Sequence, residues 1–457
     1  MGKTETRHGT SSEAPPLHFA PDTSHFTPYT LHCARILLVA ALFGAPLAFG
    51  AVLPWAWAAL SLAASLGLFL WALGCVQQGA LKLIWSPLYM PLALFFLLGV
   101  VQYVARLPLD RSETRQALIL LATDLVFFFL AVQLFGGAQS GTLPALGLAV
   151  LVFAGSLALF AILQFISGAH KLYGIFTTPG SLFGPYVDPD HFAGLMEMLF
   201  PAAAFYMAGQ RKRLSLEGWV LMVFALMLAL ASLLLSGSRG GLLALSAEIG
   251  IAVLVLRRAA ARTRGRRRPI VAAALTLLAG LLLFAYIVPA WVAQKLGSVA
   301  YADRTWAEWA GGRERMAVDA LRMWRAHAVL GVGLGDFETA YPRYQSIPSD
   351  LWYDHAHNDY VEAVAETGLV GAVLIFSALA LFLRLAFRDS GQPIRPQEGW
   401  IRLGATLGCC GMLVHSLVDF NLHIPANAAW FAVLTGIATT GRDTGAAQDQ
   451  AFLAAEG

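Results

Sequence analysis

Long apolar runs alternate with short polar stretches along most of the chain. The runs lie at roughly residues 35–51, 54–76, 86–105, 116–135, 143–167, 190–208, 217–236, 240–256, 269–291, 358–387, 400–420 and 425–440. A helix needs about 20 predominantly apolar residues to cross a bilayer. The pattern therefore predicts an all-α integral membrane protein with about twelve transmembrane helices.

The composition supports the same conclusion. Of the 457 residues, 58% are hydrophobic and only 13% are charged, whereas soluble domains carry roughly 25% charged residues. A soluble core has no place for this surplus of apolar side chains, so a soluble protein is excluded. Four cysteines have neither zinc-type nor redox spacing and are interpreted as small packing residues. They are Cys33, Cys75, Cys409 and Cys410.

The placement of Lys and Arg predicts the orientation. If the N-terminus is cytoplasmic, the cytoplasmic segments hold 19 of these residues and the short outer loops hold five. Because cytoplasmic loops carry an excess of positive charge, both termini are predicted to lie inside. Residues 1–34 and 441–457 are interpreted as cytoplasmic tails, the first of them disordered. Residues 35–291 and 357–440 are then transmembrane helices 1–9 and 10–12.

Residues 292–356 form the only sizeable segment between two predicted spans, and they fall on the outer face. Residues 317–326 have helical periodicity with an apolar side. The segment predicts a helical loop subdomain that lies partly on the membrane surface, with tryptophans near the lipid headgroups. Its tryptophans and neighbouring arginines are Trp306, Trp309, Trp324, Trp352, Arg313, Arg315, Arg322 and Arg325.

Three outer-face motifs are candidates for chemistry, and the first is Ser-Gly-Ser-Arg-Gly-Gly at residues 236–241. Arg239 lies between glycines at the start of a predicted helix. Exposed backbone amides, the guanidinium and the helix N-terminus all favour an anion. The alternative is a tight turn whose arginine reaches toward the headgroups.

The second motif joins Gly312-Arg313 to the glycine-rich stretch 331–335. These glycines could let the backbone approach a ligand or simply shape a loop. No strand precedes them, so a nucleotide-binding fold is not supported. Several arginines compete with Arg313 for a role in binding an anion: Arg304, Arg315, Arg322 and Arg325.

The third motif is His-Ala-His-Asn-Asp-Tyr at residues 355–360, followed by Glu362 and Glu366. On a helix, His357 and Tyr360 lie one turn apart. A histidine at the start of a span is suited to accept a proton near neutral pH. Two histidines with nearby acids are also potential metal ligands, but residues two apart do not share a helical face. A metal would therefore require the loop to place one of the two histidines, and the sequence favours a site without metal.

Two further groups have both a functional and a structural interpretation. Asp188 and Asp190 resemble a metal-binding acidic pair, but Asp188 also fits a helix cap with Pro189 at the first helical position. The sequence favours the cap. His415, Asp419 and His423 recur every four residues at the outer end of the eleventh run. They would line a polar cavity or pair with one another.

The order of these motifs resembles the O-antigen ligase, O-antigen polymerase and protein O-oligosaccharyltransferase superfamily. The likeness covers about residues 180–436. It rests on five motifs in this order: the turn at 236–241, Gly-Arg at 312–313, Gly-Val-Gly-Leu-Gly-Asp-Phe at 331–337, His-Asn-Asp-Tyr at 357–360 and Glu-Thr-Gly-Leu-Val-Gly at 366–371. In one respect the chain departs from it, because Asp188 and Asp190 stand where relatives often carry asparagine.

The resemblance implies a membrane-embedded glycosyltransferase of the GT-C type that needs neither metal nor other cofactor. It would act at the periplasmic face of the bacterial inner membrane on a glycan carried by undecaprenyl pyrophosphate. Arg239 and His357 match the family's membrane-proximal arginine and catalytic histidine. Arg313 is the preferred match to its outer-loop arginine, with Arg304 as the alternative.

The remaining expectations concern substrates and alternatives. Lipid A core, a growing glycan and a protein hydroxyl are all possible acceptors, and no nucleic-acid partner is expected. A cavity open to the membrane would admit the prenyl tail of the donor. Another class of function, a non-enzymatic transporter or flippase of lipid-linked glycans, remains as the alternative. The residues expected to bind substrate are Arg304, Arg315, Tyr360, His355, His415 and Asp419.

Overall fold

The computed structural model describes residues 29–81, 83–136, 142–168, 171–177, 182–210, 215–261, 306–346, 353–388, 390, 394 and 398–440. The helices among them are α1 Tyr29–Leu47, α2 Pro54–Gln77, α3 Tyr89–Val104, α4 Arg111–Phe135, α5 Thr142–Ser167, α6 Pro189–Gly209, α7 Leu216–Leu235, α8 Arg239–Ala261, α9 Trp306–Ala326, α10 Phe337–Ala340, α11 Asp359–Ala386, α12 Glu398–His415 and α13 Pro425–Thr439. Short 3₁₀ helices cover Phe49–Ala51, Tyr341–Arg343 and Asn421–His423. A small antiparallel hairpin pairs β1 Lys171–Leu172 with β2 Phe176–Thr177.

The described helices confirm a multi-pass, all-α membrane protein. Eight of them are long and apolar enough to cross a bilayer: α1, α2, α4, α5, α6, α7, α8 and α11. Three more predicted runs correspond to α3, which is shorter, and to α12 and α13. The run at 269–291, residues 1–28 and residues 441–457 lie outside the described residues, so the number of spans stays a prediction. Residues 29–34, which the sequence assigned to the disordered tail, instead begin α1.

Side-chain caps begin the two helices that matter most for the site. The Asp188 carboxylate accepts a hydrogen bond from the Asp190 N–H at 2.7 Å, and Pro189 occupies the first helical position of α6. Asn358 Oδ1 accepts from the Val361 N–H at 3.0 Å and starts α11. These side chains satisfy amides that have no partner within the helix. The cap predicted at Asp188 is therefore confirmed.

The centre of the bundle is the packing of α12 against α6. A Cβ at Gly404 would lie 2.6 Å from the Pro201 carbonyl oxygen, and one at Gly408 would lie 2.7 Å from the Met198 carbonyl oxygen. Small residues let two membrane helices approach at backbone distance. This close approach brings the N-terminal end of α6 to the C-terminal end of α12.

Part of the predicted outer loop folds onto the start of α11, and α9 confirms the helical periodicity of residues 317–326. One face of α9 packs with α10 in an apolar cluster that includes Met316, Ala320, Met323 and Phe337. The glycine-rich stretch shapes a loop against a break in α11. The Gly333 N–H donates to the Glu366 carbonyl at 2.9 Å, and the Leu369 N–H donates to the Ala328 carbonyl at 2.8 Å.

Two details of the predicted helices are wrong. The eleventh run was expected to continue to residue 420, but α12 ends at His415. Donors from the start of α11 take the carbonyls that another helical turn would use: the Asp359 N–H bonds to the Ser416 oxygen at 3.0 Å and Asn358 Nδ2 to the Leu417 oxygen at 2.8 Å. His415, Asp419 and His423 thus do not share a helical face.

The second error concerns the start of α11. His357 was expected to lie one helical turn before Tyr360, but α11 begins only at Asp359. The backbone of His357 has a positive φ of 49°, which is uncommon for a residue with a Cβ. His357 therefore belongs to a turn that directs it away from the helical register.

Candidate active site

One end of the bundle brings the three residues predicted to be catalytic into one network. Arg239 is the first residue of α8, Arg313 lies on α9, and His357 directly precedes the cap of α11. Asp419 pairs with both His357 and Arg313, and Asp190 pairs with Arg313. Arg239 interacts electrostatically with both Asp190 and Arg313. Residues distant in sequence thus form a single charged cluster.

A buried carboxylate holds the imidazole of His357. Its Nδ1 lies 3.0 Å from Asp419 Oδ1, and its ring meets Phe420 edge-on with centroids 4.9 Å apart. Asp419 also accepts the Phe420 N–H at 2.9 Å. If Nδ1 donates to this carboxylate, a neutral imidazole keeps its lone pair on Nε2.

Asp419 stays ionised in this setting. Its side chain is 1% exposed, and burial by itself would raise its pKa. The hydrogen bond from His357 and the positive charge of Arg313 outweigh burial and hold the pKa of Asp419 well below its usual range. An ionised Asp419 selects the His357 tautomer with the proton on Nδ1.

Arg313 lies among oxygen acceptors. Its Nη1 donates to the Val418 carbonyl, and its Nη2 lies 3.4 Å from Asp190 Oδ2 and 3.7 Å from Asp419 Oδ2. Its side chain is mostly buried, so these contacts fix the plane of the guanidinium. A planar guanidinium held in this way presents a preorganised site for phosphate oxygens.

The turn before Arg239 is built by the serines and glycines around it. Gly237 has a φ of 72°, and Ser238 Oγ accepts the Gly241 N–H at 3.0 Å and so caps α8. Gly240 packs directly against the imidazole of His415, leaving no room for a Cβ. The turn thus combines a helix N-terminus with a close contact to the C-terminal end of α12.

A second layer of buried groups lies behind the site. His415 is fully buried, with Nδ1 2.9 Å from Glu197 Oε2 and Nε2 4.0 Å from Asp419 Oδ2. Glu248 of α8 is also buried and has no hydrogen-bond partner among the described residues. Glu197 and Glu248 lie inside predicted spans and belong to none of the three outer-face motifs.

His355 enters a different network. Its Nδ1 lies 2.7 Å from Glu362 Oε1, and the same oxygen lies 3.2 Å from Nε2 of His423. His423 Nδ1 lies 2.8 Å from Asp359 Oδ1. Phe420 stacks on His355 with ring centroids 4.4 Å apart. Two histidines separated by one residue therefore serve separate clusters.

The other residues expected to bind substrate are more scattered. Arg315 is exposed on α9. The hydroxyl of Tyr360 donates to the Leu413 carbonyl at 2.7 Å and ties α11 to α12. Arg304 lies outside the described residues. A role in substrate binding stays a prediction for each of them.

The structure adds residues that sequence reasoning had not assigned to the site. Asp190 was considered only as part of an acidic pair with Asp188, and its pairing with Arg313 depends on a contact across 123 residues. Phe420 packs against three imidazoles, those of His191, His355 and His357, with centroids 4.4–4.9 Å apart. Nothing in the local sequence marks either role.

A largely apolar cavity of about 410 Å³ lies between α3, α4, α11 and α13. Its wall includes Phe95, Leu121 and Ala378, and its polar lining includes Asp359 and His423. The cavity therefore runs from the second histidine network along apolar helix surfaces.

A family model described as O-antigen ligase matches residues 194–376. Over these residues the chain is similar to the O-antigen ligase family. The matched region contains Arg239, Arg313 and His357. It ends within α11, so Asp419 and His423 lie beyond it. A search of curated proteins found no match to the chain.

Proposed function

We propose that this protein transfers a glycan from undecaprenyl pyrophosphate to an acceptor hydroxyl at the periplasmic face of the inner membrane. The observation that carries the proposal is the His357–Asp419 pair beside Arg313, with both His357 and Arg313 inside the O-antigen ligase match. A proton acceptor and phosphate-binding cations are the two functions that such a transfer requires.

In the proposed reaction the acceptor oxygen attacks the anomeric carbon of the donor glycan. The hydroxyl proton passes to Nε2 of His357 as the new C–O bond forms. The bond between the anomeric carbon and the pyrophosphate oxygen breaks, and its electron pair leaves with undecaprenyl pyrophosphate. General base catalysis of this kind contributes about 10²–10⁴-fold in rate.

Asp419 acts by positioning His357. Its carboxylate holds the Nδ1 proton and stabilises the imidazolium that forms when Nε2 accepts a proton, as in a Ser-His-Asp triad. His415 lies behind Asp419 and is fully buried, so we assign it to supporting this carboxylate. Arg239 and Arg313 stabilise the charge on the departing diphosphate, and no metal takes part in the transfer.

The apolar cavity supports a lipid-linked donor. Its walls are hydrocarbon along α3, α4 and α11, while its polar lining includes Asp359, Tyr360 and His423. We propose that part of the prenyl chain occupies this cavity. The acceptor is a lipid A core or a growing glycan in preference to a protein hydroxyl.

A second candidate, a transporter of lipid-linked glycans, is favoured by one observation. Glu197 and Glu248 are buried within α6 and α8, and ionisable groups inside membrane helices are common in transport pathways. Glu197 pairs with His415, which lies behind Asp419, and this contact is explained equally well by support of the site. The enzyme therefore remains the preferred function.

The two functions are separated by following the glycosidic bond. Purified protein in liposomes is given labelled undecaprenyl-pyrophosphate glycan and each candidate acceptor, beside His357→Ala and the control Arg258→Ala, an exposed arginine in the last turn of α8. We expect a labelled acceptor and free undecaprenyl pyrophosphate with wild type and Arg258→Ala. Movement of intact donor across the bilayer, without bond cleavage by any variant, contradicts the enzyme.

A further inference from the structure

The network around His355 has the composition of a transition-metal site. His355 lies just before α11, Glu362 lies in its first turn, and His423 ends the 3₁₀ helix after α12. Two imidazole nitrogens and a carboxylate oxygen, with one position left for water, are the ligands of open zinc sites. The three ligand atoms lie within 4.8 Å of one another.

The distances between these atoms fit a shared ion. Glu362 Oε1 lies 2.7 Å from His355 Nδ1 and 3.2 Å from His423 Nε2. Ligands about 2.0–2.1 Å from a tetrahedral zinc lie roughly 3.3 Å apart. A small widening of the network would therefore seat the ion.

The surroundings of the ligands are also those of a metal site. Asp359 Oδ1 lies 2.8 Å from the second nitrogen of His423, Nδ1, which orients the ring so that Nε2 faces Glu362. The Ala356 N–H donates to the other oxygen of Glu362 at 2.7 Å. Such outer partners fix the tautomer and orientation of metal-binding histidines. Phe420 stacks on His355 and holds that ring as well.

The cluster beside it provides a contrast. Asp190, His415 and Asp419 also lie within 4.8 Å of one another, but there Arg313 lies 3.4 Å from Asp190 and 3.7 Å from Asp419. A guanidinium thus already supplies the positive charge that a metal would bring. No Lys or Arg of the described residues forms an ion pair with Glu362 or Asp359 at 4.0 Å or less.

We propose that His355, Glu362 and His423 bind one divalent transition-metal ion of the zinc type, with Asp359 orienting His423. The ion lies outside the proposed reaction. It ties the start of α11 to the loop after α12, the two segments that supply His357 and Asp419. The proposal concerns ligands that differ from the transfer residues, so it does not depend on the proposed function.

Cobalt provides a spectroscopic probe for the full-length protein in detergent. The protein is purified without a polyhistidine tag, stripped with chelator and titrated with Co²⁺ and then Zn²⁺. We expect one equivalent of Co²⁺ to give the visible absorption of a four- or five-coordinate ion, which zinc displaces. We also expect zinc to raise the midpoint of thermal unfolding.

The variants assign the ion to its ligands. His355→Gln and His423→Gln should each abolish the cobalt spectrum, while Asp359→Asn should keep it with about 10–100-fold weaker affinity. His357→Gln and His415→Gln are matched controls from the neighbouring cluster and should bind cobalt as wild type does. Unchanged size-exclusion profiles establish that the variants are folded.

Three results would overturn the proposal. The first is the absence of a stoichiometric cobalt spectrum in wild-type protein. The second is a spectrum that persists in both His355→Gln and His423→Gln. The third is loss confined to His357→Gln or His415→Gln, which would put the ion among Asp190, His415 and Asp419. A failed transfer assay leaves all of these readouts intact, so the two proposals fail separately.

Discussion

His355 and His357 lie two residues apart, yet they belong to clusters with opposite electrostatic character. His357 pairs with Asp419, and this cluster contains the guanidinium of Arg313. His355 pairs with Glu362, whose other described ion-pair partner is His423. The first cluster carries cations that suit a diphosphate, whereas the second carries ligands that suit a metal cation.

The difference teaches that charge partners, more than the histidines themselves, decide what each cluster can bind. Both imidazoles pack against Phe420, one on its face and one at its edge. The left-handed backbone at His357 separates them. Each network then draws its carboxylate from a different part of the fold.

The largest effect is expected when His357 and His355 are each replaced by alanine and the two variants are compared. His357→Ala should lower transfer by about 10²–10⁴-fold because it removes the proton acceptor, while donor affinity stays nearly intact. His355→Ala should be milder. The measurements are transfer rate and donor affinity of the purified variants. A collapse confined to His355→Ala would show that the wrong histidine was assigned to the reaction.

The arginines should follow closely. Arg239→Lys keeps the charge but loses the planar fork, and we expect a loss of about 10²–10³-fold in transfer. Arg313→Ala should weaken donor binding as well as turnover, since its charge meets the pyrophosphate before the bond breaks. Arg258→Ala, which replaces an exposed arginine in the last turn of α8, is the control. Normal turnover by both Arg239→Lys and Arg313→Ala would remove the charge-stabilisation mechanism.

A smaller effect should come from the glycine that contacts His415. Gly240→Ala forces a Cβ into the imidazole and should cost about 1–3 kcal/mol of stability by overpacking, with some loss of activity as His415 shifts. Gly250→Ala lies on the same helix with nothing within 4 Å and should be neutral or slightly stabilising. Thermal unfolding of both variants tests the pair, and equal melting temperatures would contradict this packing.

The smallest effect on transfer is expected from chelation. Excess chelator should leave the transfer rate nearly unchanged, because arginines supply the charge at the proposed reaction site. It should lower the thermal stability of zinc-loaded protein if the second cluster holds an ion. Loss of transfer that magnesium or manganese restores would instead require a catalytic metal. It would contradict the proposal that arginines supply the charge at the reaction site while a metal binds only at the second cluster.

Much of this architecture could be predicted from the chain alone. Eleven apolar runs coincide with described helices because a bilayer demands uninterrupted apolar segments. The cap at Asp188 and the helix in residues 317–326 were also predicted from the local sequence, the first from the Asp-Pro pair and the second from helical periodicity. The order of the motifs also predicted the O-antigen ligase family, which the match over residues 194–376 confirms.

Tertiary structure decided which of the predicted residues contact each other and through which side chains. No local pattern indicates that Asp419 holds His357 across 62 residues or that Asp190 reaches Arg313 across 123. The end of α12 at His415 was also missed, because donors from α11 remove the carbonyls that would continue it. Helices in a membrane follow from local composition, but a charged site depends on side chains brought together from separate helices, and that meeting is determined only by their packing.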